Sequence, residues 1–309
     1  MTRRAAAGLG RLLPLLLIAA ALVIVAGAAL LTACGGSSGG STPGPTTRVT
    51  VAPSGSATAT ASPSTSPSAG PAVTTIRVYF LRDEKLGVAE RRVAHTTMPA
   101  TAAMRALLAG PTAAEKAAGL TSTVPEGTEL LGLSITGAIA HVDLSDAFAS
   151  GGGSLSMTAR VAQVVYTLTR FPTVRSVEFL IGGKQVEALG GEGVPLAKAQ
   201  SRADWRSFEP AIFIESPGVG AVVSSPFTLS GTASVFEGTF QARLVDSSKR
   251  RIVNVTVQAS QGAPGRGRFA KEIAFSTSAK RGMLIVYDQS MEDGSRQDEI
   301  LIPISFSSE

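Results

Sequence analysis

Four regimes of hydrophobic and polar positions follow one another along the chain. Leu12 to Leu31 is apolar without a single charge, after a start that carries Arg3, Arg4 and Arg11. From Gly35 to about Ala72 the residues are almost all Ser, Thr, Pro, Gly, Ala and Val, with Arg48 the only charge. That composition cannot bury enough apolar surface to offset the entropy of ordering, so a disordered tether is expected over 34–72. Next come 73–197, where alternating and helical periods mix, and a connector over 198–210. From 211 to 309 only strand-like runs remain.

Within 73–197, Thr75 to Leu81 alternates and is β-rich, which predicts a strand. Arg82 to Arg92 is charged and reads as an exposed turn before a short extended piece near Val93. Thr101 is expected to cap a helix through Ala109, with Met104, Leu107 and Leu108 on one face. Gly110-Pro111 stops it, and Thr112 starts a short helix over 113–119. Thr128 to Thr136 and Ile139 to Leu144 predict a hairpin turning at Gly137-Ala138. Ser156 is expected to cap a helix to about Phe171. Its stripe is Met157, Val161, Val164, Val165 and Leu168, and Arg160, Gln163, Thr167 and Arg170 lie on the wet side. Val174 to Ile181 reads as a strand and Lys184 to Leu189 as its short partner. The order β-α-β-β-α-β-β predicts an α+β domain with two helices on an antiparallel-rich sheet. The region from Ala211 offers about seven short strands separated by turns such as Ser216-Pro217-Gly218 and Glu292-Asp293-Gly294. This pattern predicts an all-β immunoglobulin-like sandwich.

Charge changes the picture little. The formal net charge is +5, but Arg3, Arg4 and Arg11 supply three of the 28 basic residues, leaving 25 against 23 acids. No massed basic face for nucleic acid is implied. Cysteine changes it more. The single cysteine, Cys34, permits no internal disulfide and stands where the apolar run gives way to the polar tract. Leu31-Thr32-Ala33-Cys34 resembles the bacterial lipobox. That resemblance implies a signal peptide over 1–33 and a diacylglyceryl group on the Cys34 thiol, holding the chain on the extracytoplasmic membrane face. The alternative is an uncleaved single-span anchor, since twenty apolar residues also suffice to cross a bilayer.

The runs "VYFL", "LLAGPTAAEKAAGL", "VPEGTELLGLSI", "AHVDLSDAF" and "VRSVEFLIGGKQV" resemble the GerM-type domain of bacterial sporulation and germination proteins. "IESPGVGAVVSSPFTLSGTASVFEGTFQARLVD", "GRFAKEIAFS" and "YDQSMEDGSRQDEILIPISF" resemble the immunoglobulin-like domain of bacterial spore-germination proteins. The resemblance implies a non-catalytic scaffold related to ring-building modules of envelope assemblies, in a bacterial and specifically actinobacterial lipoprotein. One departure is Ser247-Ser248-Lys249, in a turn where such domains commonly place Gly.

Few residues invite chemistry. His141 shares a strand face with Asp143, which would orient an imidazole in an envelope enzyme, though a structural His is the simpler expectation. His95 has no companion ligand, so neither a metal nor a cofactor is expected. Gly151-Gly152-Gly153 precedes a helix but lacks the lysine of a phosphate loop. Trp205 is expected to wedge between the two domains. The chain is thus expected to be a lipid-anchored, non-enzymatic envelope protein. Its partners would be the membrane through Cys34, an envelope protein and anionic wall polymer, not nucleic acid. A solute receptor and an enzyme using His141 and Asp143 are the alternatives.

Overall fold

The computed structural model describes residues 72–190 and 193–307, which form one compact unit. The chain opens with a hairpin, β1 (Val73–Arg82) and β2 (Lys85–Ala94), paired in register from Val73↔Ala94 to Arg82↔Lys85. Asp83 and Glu84 make its turn with φ of 49° and 60°. The charged run read as a turn is therefore mostly strand. Leu86, Val88 and Ala89 are buried, and the charges lie across the ladder or reach helices: Glu90 pairs with Arg77 at 2.8 Å. Arg91 reaches Glu115 and the carbonyls of Ala106 and Gly110.

Helix α1 (Pro99–Leu108) has Met98 at its N-cap, three residues before the expected cap Thr101, with proline in its first turn, where a missing N–H costs nothing. Helix α2 (Ala113–Ala117) has a capping box between Thr112 and Glu115. Strands β3 (Leu130–Thr136) and β4 (Ile139–Leu144) form the expected hairpin. Helix α3 (Ser154–Leu168) then crosses to β5 (Ser176–Ile181), which runs parallel to β4. β6 (Lys184–Gln185) closes the sheet β3-β4-β5-β6. The expected partner strand to Leu189 is shorter, because β7 (Ala188–Leu189) leaves to pair with β8 (Val194–Pro195).

The wet side assigned to α3 is corrected. Arg160, Gln163 and Thr167 are buried, and only Arg170 is exposed. The reason is the outer edge of β1, whose backbone groups need partners once buried. Thr167 Oγ1 accepts from the Tyr79 amide at 3.1 Å, and Gln163 Nε2 donates to the Tyr79 carbonyl at 3.3 Å. Polar side chains of the helix thus do for β1 what a neighbouring strand would do. Arg160 donates to the carbonyls of Phe148, Ser150 and Gly151 and fixes the loop before α3. The helix packs against both β1 and β5, so two ladders share it.

The all-β region contains β9 (Ile212–Ser216), β10 (Val222–Val223), β11 (Phe227–Ala233), β12 (Thr239–Asp246) and β13 (Arg251–Gln258). β14 (Gly267–Ile273), β15 (Arg281–Gln289) and β16 (Arg296–Phe306) complete it. They form the sheets β14-β11-β9 and β10-β16-β15-β12-β13. Leu229, Leu244, Leu284, Val286, Ile302 and Ile304 fill the space between them, with Phe240 edge-on to Phe269 at 4.9 Å. The fold is an α+β domain followed by an all-β sandwich. In the departing turn, Lys249 takes the left-handed φ of 61° that glycine would favour. Asp246 compensates by accepting from the Ser248 and Arg250 amides, each at 2.9 Å.

Candidate functional site

Leu31, Thr32, Ala33 and Cys34 lie outside the described residues, as does the apolar run before them. His141 and Asp143 do lie on one strand, but they do not work together. His141 Nδ1 is 2.9 Å from Glu178 Oε2 on β5, while Asp143 accepts the Gly183 amide at 2.9 Å and anchors the β5–β6 turn. Glu178 is 37 positions from His141 in sequence and reaches it only through the parallel register His141↔Glu178. No sequence pattern marks such a pair. The pair is partly exposed, at 33% and 22%. Among the described residues no His, Cys, Asp or Glu cluster suits a metal.

The densest polar chemistry lies instead at the seam between the two domains, where the segment before β10 pairs by its backbone with the edge of β2. Val219 accepts the Glu90 amide at 2.9 Å and donates to Val88 O at 2.8 Å, so the segment before β10 pairs with β2. Gly218 and Gly220 permit that approach, since a Cβ would stand 3.0 Å from the Glu90 nitrogen and 3.1 Å from its oxygen. Beside this bridge Tyr79, Tyr166 and Phe213 meet with ring centroids 5.7 to 6.1 Å apart.

Arg202 occupies the centre. It comes from the 3-10 turn Arg202–Phe208 of the connector, which a Ser201–Asp204 capping box opens. Its guanidinium donates to Glu215 of β9, to Tyr79 Oη at 3.2 Å and to Thr169 Oγ1 at 2.9 Å, and lies over the Tyr166 ring at 4.7 Å. Tyr79 in turn donates to Glu215 at 2.8 Å. Tyr166 donates to Glu209 at 2.7 Å, and Arg266 of the second domain meets the same carboxylate at 3.2 Å. Burial works to raise the Glu215 carboxyl, but the charge and hydrogen bond of Arg202, with the Tyr79 hydroxyl, hold it below the usual carboxylate range. Burial also pushes the Tyr79 and Tyr166 hydroxyls far up, so both stay neutral donors. Trp205, expected as the wedge, is buried beside Phe208 at 6.4 Å. Arg202 of the same turn bonds to residues of both domains, a role the sequence reading missed. An arginine in a polar connector carries no sequence signal of its role.

Two surfaces remain open near this frame. A pocket of about 190 Å³ lies between the β1–β2 turn and the second domain, walled by Leu86, Val88, Ile212, Ile214, Ile300 and Ile302. Strand β3 is a free sheet edge without a charged residue, and Leu131 and Ile135 on it are exposed. Native edges are commonly blunted by charge or proline, so β3 is open to pairing.

Residues 77–187 match the Germane family, described as sporulation and spore germination. Residues 211–295 match Gmad2, the immunoglobulin-like domain of bacterial spore germination. Among solved structures, the tandem GerMN domains of the sporulation protein GerM from Bacillus subtilis align at 16% identity over 67% of this chain, with a TM-score of 0.39. This chain spans 63% of that structure. The first GerMN domain of the same protein aligns at 20% identity over 42% of this chain and 99% of its own length, with a TM-score of 0.36. A candidate lipoprotein from Clostridium perfringens aligns at 21% identity over 43% of this chain and 89% of its own, with a TM-score of 0.32. No curated protein matches the chain.

Proposed function

We propose that this chain, a Germane domain followed by a Gmad2 immunoglobulin-like domain, is a lipid-anchored, non-enzymatic interaction protein of the cell envelope. The observation that carries this reading is the seam. The most elaborate polar network of the described residues ties Tyr79, Tyr166, Arg202, Glu209 and Glu215 to one another and so joins two domains rather than surrounding a space for a substrate. A rigid two-domain body with an uncharged strand edge, β3, suits binding of another protein by strand addition. Cys34 supplies the anchor in this reading, and two acyl chains give the stable attachment that one chain does not.

The anchor is tested by metabolic labelling with fatty acid: label enters the wild-type chain and is lost in Cys34→Ala. Label retained by that variant overturns the anchor. The interaction is tested by crosslinking in intact cells followed by mass spectrometry, with Ser134→Pro on β3 as comparison. A partner that crosslinks equally to both chains removes β3 from the reading.

The seam pocket favours a second reading, a ligand receptor. Its volume of about 190 Å³ falls below the roughly 300–1,000 Å³ of ordinary small-molecule sites, so it ranks behind the first.

A further inference from the structure

The outer face of the five-stranded sheet departs from the alternation that a solvated sheet face follows. On β13 and the start of β12 that face is polar, with Gln241, Asn254 and Thr256 bonded across the strands. Further along it is apolar. Val245, Met283 and Pro303 stand opposite one another across β12, β15 and β16, and Ile285 and Leu301 form the next row beside Arg243. Val245 is buried here without joining the sandwich core, and Leu301 is 43% exposed. With the turn at Ser247 and Lys249, Val245, Met283, Ile285 and Leu301 line a groove of about 440 Å³.

Positive charge closes the groove at both ends. Lys249 and Arg281 stand at one end. At the other stands Arg243, 5.8 Å from the Tyr287 ring. The acids nearby are already engaged: Asp246 holds its own turn and Arg250, and Glu299 pairs with Arg296 at 2.9 Å. Among the described residues neither Lys249 nor Arg281 has a carboxylate partner within salt-bridge distance. The two apolar rows are two residues apart along each strand, roughly 7 Å, which is the spacing of same-side side chains in an extended chain.

We propose that this groove docks an extended acidic segment of a partner protein. Two alternate apolar side chains of that segment rest on the Val245–Met283 and Ile285–Leu301 rows. Its flanking carboxylates meet Lys249 and Arg281 at one end and Arg243 at the other. The occupant follows from charge complementarity and shape: the turn at Lys249 walls the groove, so a flat bilayer would meet the turn and not the apolar floor. The proposal rests on the interaction reading only for the partner being a protein.

Full-length protein in detergent is titrated with a fluorescent Glu-Glu-Leu-Thr-Leu-Glu-Glu peptide and with its Lys-flanked counterpart. The acidic peptide is expected to bind saturably and at least about tenfold more tightly than the basic one, more weakly at high salt. Arg281→Glu, on an exposed strand end, is expected to lose about tenfold with an unchanged melting temperature. Ile285→Ser tests the apolar row. No binding, equal binding of both peptides, indifference to Arg281→Glu, or preference for phosphatidylglycerol vesicles overturns the proposal. A failed titration beside positive labelling and crosslinking removes this groove and leaves the interaction reading standing.

Discussion

At the scale of single residues, Arg202 joins both domains to the connector. Its side chain and that of Glu215 are 29% and 26% exposed, so water screens part of the pair and discounts its contribution. Removing the guanidinium still strips a half-buried carboxylate and two tyrosines of their cation. Arg202→Ala is expected to cost about 2–4 kcal/mol in a denaturant titration, and Arg202→Lys to recover only part because the fork geometry is lost. The pair also sets an acid limit. With Glu215 held below its ordinary value when folded, its contribution is fully present above the unfolded carboxylate range near pH 4.5. It is lost as pH falls through the folded value. Stability measured from pH 6 downward should therefore fall less steeply in Arg202→Ala than in the wild-type protein.

At the scale of elements, the strands of the second domain were legible because alternation and turn residues agree along them. The hairpin β3–β4 was legible for the same reason, with Gly137 and Ala138 both at positive φ in its turn. β2 was not, since its charges at Glu90, Arg91 and Arg92 suggest exposure and only the fold reveals the partners of Glu90 and Arg91. The polar side of α3 misled for the opposite reason: Gln163 and Thr167 look solvated but serve the backbone of β1. Thr167→Val separates the two views. On a wet surface it would be neutral, whereas here it leaves the Tyr79 amide buried and unpaired, an expected loss of about 1–3 kcal/mol by thermal or chemical unfolding. Gly220→Ala addresses the seam. At φ +86° a Cβ is strained and would press on Glu90 O. Hydrogen exchange is expected to lose protection at the Glu90 and Val219 amides and to keep it in the β11–β14 ladder. Gly294→Ala, at φ +72° in open space, is the control and should leave the seam untouched. The parallel partner of His141 stayed hidden because register between distant strands is a property of the whole sheet.

At the scale of the molecule, one continuous cluster of buried residues runs from Ile76 to Phe306, across both family domains. Calorimetry is therefore expected to show a single transition for the two domains. Arg202→Ala combined with Gly220→Ala is expected to split it or broaden it. A wild-type protein with two separate transitions would count against a unitary body. The bonds of β1 reach further than stability. Arg77 donates to Ser216 at 3.0 Å and Tyr79 to Glu215, both on β9, within seven residues of the start of the described chain. A pull arriving from the amino-terminal side would enter the second domain directly through those two side chains and bypass the long connector. Mechanical tension on this protein would thus be carried sideways into the second domain through hydrogen bonds.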